Sequence, residues 1–334
     1  MKALAFAAAV TVLLSACHAP PTTSTGAATD PLPSWGPSAS RAAIVEFVAR
    51  VTDPASADFV PAEDRIAVFD NDGTLWCEQP LYTQLAFALD RVRELAAEHP
   101  EWQTTEPFRS ILEGDVGAAL AAGERGVVEI VMATHAGTDT AEFDSAVSEW
   151  FATARHPRTG RPYPGMAYQP MLELLAFLEA NGFECWIVSG GGVDFMRTFC
   201  EETYGIPASR VIGSTGAVTY EVGDDGPRLM RQPTITFVND KEGKPVSIQR
   251  NIGRRPVIAV GNSDGDFAML EWTTAAENPA LGVLVHHTDA DREYQYDRGS
   301  HIGRLERGLD EGPNRGWVIV DMSSDWNTIF PPNR

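Results

Sequence analysis

The sequence predicts a doubly wound α/β fold: a parallel sheet with an inserted helical subdomain and a small β-hairpin. Three observations carry that expectation. Short apolar runs ending in polar residues recur along the chain, helical stretches alternate with them, and two long intervals break the alternation.

The first run is Arg65–Asp70 (RIAVFD), followed by Phe183–Ser189, Arg210–Ile212, Pro256–Gly261 (PVIAVG), Gly282–His286 and Trp317–Asp321. Runs this short and this apolar suit strands buried on both faces of a parallel sheet. Helical patterns fall at Met171–Asn181, Val193–Tyr204 and Phe267–Trp272. From Pro80 to about Arg155 the chain holds successive amphipathic helical segments and no good strand, which reads as a subdomain inserted after the first strand. From Ala217 to Gln249 apolar and polar residues alternate around Gly223-Asp224-Asp225-Gly226, the pattern of a hairpin. The expected organisation is a core over 39–76 and 160–334 with a helical cap over 77–159.

The N-terminus carries Lys2, then an apolar stretch Ala3–Leu14 and a small-residue end, Leu14-Ser15-Ala16-Cys17. This is the pattern of a secretory signal over 1–16. Its end resembles the bacterial lipobox, which implies cleavage before Cys17, lipidation of that thiol and an extracytoplasmic place in the cell envelope. An ordinary signal peptide with an incidental cysteine is the alternative. Residues 17–38, rich in Pro, Ser, Thr and Ala, read as a flexible tether. An oxidising compartment permits a Cys185–Cys200 disulfide; three separate buried thiols at Cys77, Cys185 and Cys200 are the favoured alternative.

The 334 residues carry 26 Lys and Arg against 46 Asp and Glu, a formal charge of −20. That balance argues against nucleic acid or an anionic membrane surface as partner, since both require clustered positive charge. Contact with a membrane is expected only through the lipid anchor.

In doubly wound sheets ligands sit beyond the carboxyl ends of the strands. Four clusters lie at such places. Asp70-Asn71-Asp72-Gly73-Thr74-Leu75 follows the first strand. Its two carboxylates can converge above the sheet, one as nucleophile and one handling a proton, with a divalent cation offsetting their repulsion. Ser189, followed by Gly190, Gly191 and Gly192, offers a hydroxyl and backbone N–H groups to a phosphate; a helix cap on a glycine-rich turn is the alternative. Lys244 is one of few lysines and suits an anion clamp, with Lys241 competing for the role and a solvated loop lysine as the alternative. Gly261-Asn262-Ser263-Asp264-Gly265-Asp266 spaces oxygen ligands along a turn in a way that suits Mg²⁺, or caps the next helix as an Asx turn.

The four clusters in this order resemble the haloacid dehalogenase superfamily, over roughly Arg65 to Val285, and within it the phosphoserine-phosphatase-like branch. The resemblance implies that Asp70 is the nucleophile and that Asp72 is the general acid/base, its main-chain carbonyl also facing Mg²⁺. It implies phosphoryl binding by Ser189 and the Gly190 N–H, charge neutralisation by Lys244, and Mg²⁺ ligation by Asp70, Asp72, Asn262 and Asp266. Asn262 departs from the branch, which has aspartate there; Asp264 or Asp266 can supply the missing charge. Glu78 falls near a glutamate that the branch turns toward substrate, or is an ordinary linker residue. The expected function is a Mg²⁺-dependent phosphatase acting on a small phosphorylated metabolite through an aspartyl-phosphate. A non-catalytic ligand-binding lipoprotein that retains the fold is the alternative. Trp76 and Trp150 are expected in packing between cap and core. His286 and His287 point to opposite faces and are not expected to share a metal. Nothing in the sequence ties Tyr294 or Tyr296 to the site.

Overall fold

The structure, a computed structural model, describes residues 30–332 apart from residue 122. The expected leader, the lipidation site Cys17 and the tether as far as residue 29 lie outside the described residues.

Apolar runs bounded by polar residues become the strands β1 (Ile66–Phe69), β2 (Glu184–Gly192), β3 (Val211–Gly223), β4 (Gly226–Phe237), β5 (Ile258–Gly261), β6 (Leu281–Thr288), β7 (Gln295–Tyr296) and β8 (Val318–Asp321). They form one sheet in the order β4-β3-β2-β1-β5-β6-β7, with β8 also paired to β6. The pairs made by β1 with β2 and β5, by β2 with β3, and by β6 with β5 and β8 are parallel. The hairpin β3–β4 and the short pair β6–β7 are antiparallel. All four residues of β1 and of β5 are buried, as strands covered on both faces must be. The chain leaves β1 toward β2 on one side and returns later as β5 on the other, so a crevice opens at their carboxyl ends.

Four expectations are corrected. The third expected strand and the first arm of the hairpin are one strand, β3, and the hairpin ends at Phe237. The segment that follows is a helix, Gly243–Asn251, so Lys244 sits in a first helical turn. The expected helix Val193–Tyr204 is two five-residue helices, Val193–Arg197 and Cys200–Tyr204. The break is a tightened turn at Thr198, whose hydroxyl donates to the Phe195 carbonyl at 2.7 Å. Residues 31–38, expected to continue the tether, pack onto the core. Leu32 and Trp35 are buried, and Trp35 Nε1 donates to the Pro170 carbonyl at 2.9 Å. The Trp35 ring meets Trp326 edge-on at 5.8 Å, and Gly36 N–H donates to the Asp325 carbonyl at 2.7 Å.

Ser38 then caps the helix Ala39–Thr52, which buries Ile44, Phe47, Val48 and Val51 along one stripe. Ser40 Oγ donates to Asp325 Oδ2 at 2.6 Å, closing the same seam.

The helical insertion comprises Thr83–Leu95, Phe108–Glu113, Val116–Ala119, Glu124–His135 and Thr140–Thr153. Leu85, Ala88, Leu89 and Val92 recur at helical spacing and anchor a small core of their own with Trp102, Phe108, Ile111 and Ile130. Asp139 and Glu142 form a reciprocal capping box at the start of the last helix. The insertion is tied to the sheet by Arg231 of β4, which lies over the Phe143 ring at 4.1 Å and pairs with Asp194. Trp150 packs against Phe87 and Tyr163 and donates to Asp90 Oδ2 at 2.9 Å. Cys77, Cys185 and Cys200 are buried and unpaired, so the Cys185–Cys200 bridge is not formed.

Candidate active site

The site starts from β1. Asp70 N–H continues the ladder onto β5 by donating to the Val260 carbonyl at 2.9 Å. The chain then folds back tightly, with Thr74 and Leu75 N–H both donating to the Asn71 carbonyl. Gly73 takes φ +75°, and a Cβ there would collide with the side chains of Asn262 and Glu78. Glycine is therefore required both by the backbone and by the space.

Lys244 reaches the base of this turn from the Gly243–Asn251 helix. Its Nζ donates to Asp70 Oδ1 at 2.6 Å, Asp266 Oδ1 at 2.6 Å and the Val188 carbonyl at 2.9 Å. Three acceptors satisfy its three protons. Burial opposes the ammonium, but the Asp266 and Asp70 carboxylates more than offset it and push its pKa up. Lys244 is thus a fixed buried cation rather than a solvated loop lysine. Lys241 is not bonded into this cluster; it stands at the rim of a neighbouring cleft, at φ +51°.

Asp72 lies across the mouth. Trp76 Nε1 donates to its Oδ1 at 3.0 Å, and a Cβ on Gly191 would come within 3.7 Å of its Oδ2. Burial pushes the Asp72 carboxyl above its ordinary value, with the Trp76 hydrogen bond pulling the other way. Trp76 itself stacks on Phe199 at 4.4 Å, so its packing and its contact with Asp72 coincide. Asp70 is also pushed well up, first by burial and then by Asp266, against the pull of Lys244.

Facing Asp72 is the end of β2. Ser189 is buried, its Oγ accepts Gly191 N–H at 3.0 Å, and Asn239 Nδ2 donates to its carbonyl at 2.9 Å. Gly190 beside it is exposed. The strand runs on to Gly192 before a five-residue helix, so the expected helix-terminal cradle is a strand end instead. Gly192 N–H donates to Gln84 Oε1 at 2.8 Å, which brings the insertion to the rim of the site. Nothing local in the sequence marks Gln84 for that place.

The turn after β5 resolves the alternatives there. Asp264 accepts the backbone N–H groups of Glu306, Arg307 and Gly308 at 2.9–3.2 Å. Asp266 Oδ2 accepts from Asn262 N, Ser263 N and Ser263 Oγ, and its Oδ1 takes Lys244. Asp266 thus holds the lysine and the turn. Asn262 is buried, accepts from Thr74 Oγ1 at 3.1 Å and donates through Nδ2 to Glu78 Oε1 at 2.7 Å.

Glu78 therefore belongs to the site. Tyr296 Oη also donates to its Oε1, at 2.9 Å. Burial pushes the Glu78 carboxyl well above its ordinary value, and the Asp72 charge adds to this. Tyr296, which the sequence left unattached, stacks on His287 at 4.3 Å. His287 Nε2 donates to the Gly73 carbonyl at 2.8 Å while Nδ1 faces Glu293 Oε2 at 3.2 Å. The two histidines diverge as expected, His286 facing Asp297 instead.

Lys244 thus pairs with two carboxylates, Asp70 and Asp266, while among the described residues Asp72 and Glu78 have no bonded cation. Asp70, the Asp72 main chain and Asn262 carry oxygen donors of the kind a hard divalent cation such as Mg²⁺ takes. An open cleft of about 670 Å³ adjoins the turn after β5; it is lined by Tyr82, Asp240, Ser263, Gly303 and Arg304 among others, and not by Asp70 or Asp72.

The model of one family, haloacid dehalogenase-like hydrolase, matches residues 67–271, from β1 into the helix after β5. Among solved structures the chain is similar to a conserved protein of unknown function from Anaerococcus prevotii DSM 20548. The two share 18% identity over 74% of this chain and 85% of that one, with a TM-score of 0.51. It is also similar to a protein of unknown function from Bordetella pertussis Tohama I, at 18% identity over 77% and 98% of the two chains, with a TM-score of 0.50. Both likenesses are likenesses of fold. No curated protein matches the sequence.

Proposed function

The chain belongs to the haloacid dehalogenase-like hydrolases, and we propose that it is a Mg²⁺-dependent phosphatase of the phosphoserine-phosphatase-like branch, acting on a small phosphomonoester. The observation that carries this reading is Asp70, bonded at 2.6 Å to a buried lysine at the end of the central strand, with Asp72 two residues on.

Lys244 keeps a positive charge against Asp70 and so favours the carboxylate over the acid, as a nucleophile requires. Burial raises the Asp72 pKa and so favours its protonated form relative to an ordinary aspartate, the direction a general acid requires. A carboxylate oxygen of Asp70 attacks phosphorus in line and the ester P–O bond breaks, with the Asp72 proton passing to the leaving oxygen. Water then attacks the phosphorus of the aspartyl-phosphate, Asp72 takes its proton, and the bond to Asp70 breaks to release phosphate. Ser189 Oγ and the Gly190 N–H hold the phosphoryl oxygens. Asp70, the Asp72 carbonyl and Asn262 would hold Mg²⁺, which when bound would supply charge neutralisation for the transferring group. Asp264 and Asp266 serve the architecture of the turn. The complete set of acid, nucleophile and cation weighs against a merely ligand-binding role. The extracytoplasmic, lipid-anchored setting through Cys17 is proposed from the leader alone; Cys17→Ser should release the protein from the membrane fraction or block its maturation.

The test is chemical. Rapid acid quench of the protein with a chromogenic phosphomonoester and Mg²⁺ should leave phosphate on the peptide containing Asp70, found by mass spectrometry. Turnover with phosphate on no aspartate, or on a different residue, overturns the assignment.

A further inference from the structure

Glu78 is a buried carboxylate for which the reaction above has no task. Its relative exposure is 2%, and the chain makes room for it on two sides. A Cβ on Gly73 or on Gly303, both at positive φ, would collide with its Oε1. Its bonded partners are neutral, Asn262 Nδ2 at 2.7 Å and Tyr296 Oη at 2.9 Å, and among the described residues no cationic side chain is bonded to it. The one nearby ammonium, Lys244, is spent on Asp70 and Asp266.

The amide it touches has an oxygen suited to a cation but no charge. The bond to Glu78 fixes which end of Asn262 is which: the nitrogen faces Glu78 and the oxygen the opposite way, beside Thr74 Oγ1. The two neighbouring aspartates, Asp264 and Asp266, are bonded to other donors. A carboxylate placed behind a metal ligand raises the ligand's basicity and fixes its orientation.

We propose that Asn262 and Glu78 together replace a single acidic ligand: the amide oxygen meets the cation, and Glu78 supplies the negative charge through the hydrogen bond behind it. This rests on the Mg²⁺ reading above and adds to it a role for Glu78 as a positioning residue.

The experiment is calorimetric titration of the metal-free protein with MgCl₂ and with MnCl₂, without substrate, for wild type, E78Q, N262D and E78Q/N262D. Melting temperatures run in parallel check that each variant is folded. E78Q keeps the acceptor for Asn262 and removes the charge, so affinity should fall about tenfold or more. N262D in the presence of Glu78 sets two carboxylates where a hydrogen bond stood and should not tighten binding. In the double variant the charge moves onto position 262, and affinity should recover most of what E78Q lost. Unchanged affinity in E78Q, tighter binding in N262D alone, or no recovery in the double variant each overturns the proposal, and the N262D arm decides even if E78Q fails to fold. A wild type that binds metal in this pattern yet hydrolyses no phosphomonoester overturns the phosphatase reading and leaves the ligand pair standing. A wild type that binds neither metal overturns both the pair and the cofactor assignment.

Discussion

Asp70 and Asp72 stand at the same spacing as Asp264 and Asp266, each pair on a turn at the end of a buried parallel strand. Their employment is opposite. Asp264 accepts three backbone N–H groups, and Asp266 is held by Lys244 and three donors of its own turn. Asp70 has one close charged donor, Lys244, and Asp72 one good donor, Trp76. A carboxylate ringed by donors is held in place by them, whereas one buried with few donors keeps an oxygen free to react. Donor supply, rather than spacing, separates the two pairs.

Breaking the reactive pair should have the largest effect. Asp70→Asn keeps the shape and removes the nucleophile, so kcat should fall at least about a thousandfold with the melting temperature little changed; a steady-state assay retaining a tenth of wild-type activity would refute covalent catalysis there. Asp266→Asn leaves Lys244 with a single carboxylate in a buried setting. It should cost about 3 kcal/mol by urea unfolding and also depress kcat, because the cation beside Asp70 is no longer held.

Asp264→Ala should show the architectural role in its purest form. Its three backbone donors belong to the segment that follows Gly303, so stability should fall by about 1–3 kcal/mol while kcat changes far less than in Asp70→Asn. A loss of activity without a loss of stability contradicts the division drawn here. The smallest effect is expected from Trp76→Phe. Removing the N–H that lowers the Asp72 pKa lets it rise further, so Asp72 stays protonated to higher pH. The alkaline limb of the kcat profile should move up by less than about one unit, and a downward move would contradict Asp72 as the acid.

The legible part of the site is the part encoded locally. Asp70, Ser189 and Asn262 each follow an apolar run, and a run followed by an unusual polar cluster can be read without knowing the fold. Lys244 was legible as a residue but not as a place, since its helix was hidden in a stretch whose alternation suggests strand. The bonds of Asp266 to Lys244 and its own turn are not legible, because spacing says nothing about which donors will reach a carboxylate. Glu78 joins Tyr296 across 218 residues, and Gly73 joins His287 across 214. No local pattern announces contacts of that range. Residues 31–38 were misread for a compositional reason: Pro and Ser dominate the segment, while Leu32 and Trp35 decide its fate.

The seam between Ser40 and Asp325 has a consequence for how the protein comes into being. Its two halves are separated by 285 residues, and chains are made from the N-terminus onward. While the ribosome adds those residues, Trp35 and the helix behind it wait without the surface they will cover. Asp70, Lys244 and Asn262 emerge well before Tyr296, and Tyr296 before Trp326. The nascent chain therefore holds its reactive aspartates before the last wall around Glu78 exists, and the entropy of closing so long a loop falls due at the end. Arrival of the segment around Asp325, more than any earlier element, is the event that closes this seam.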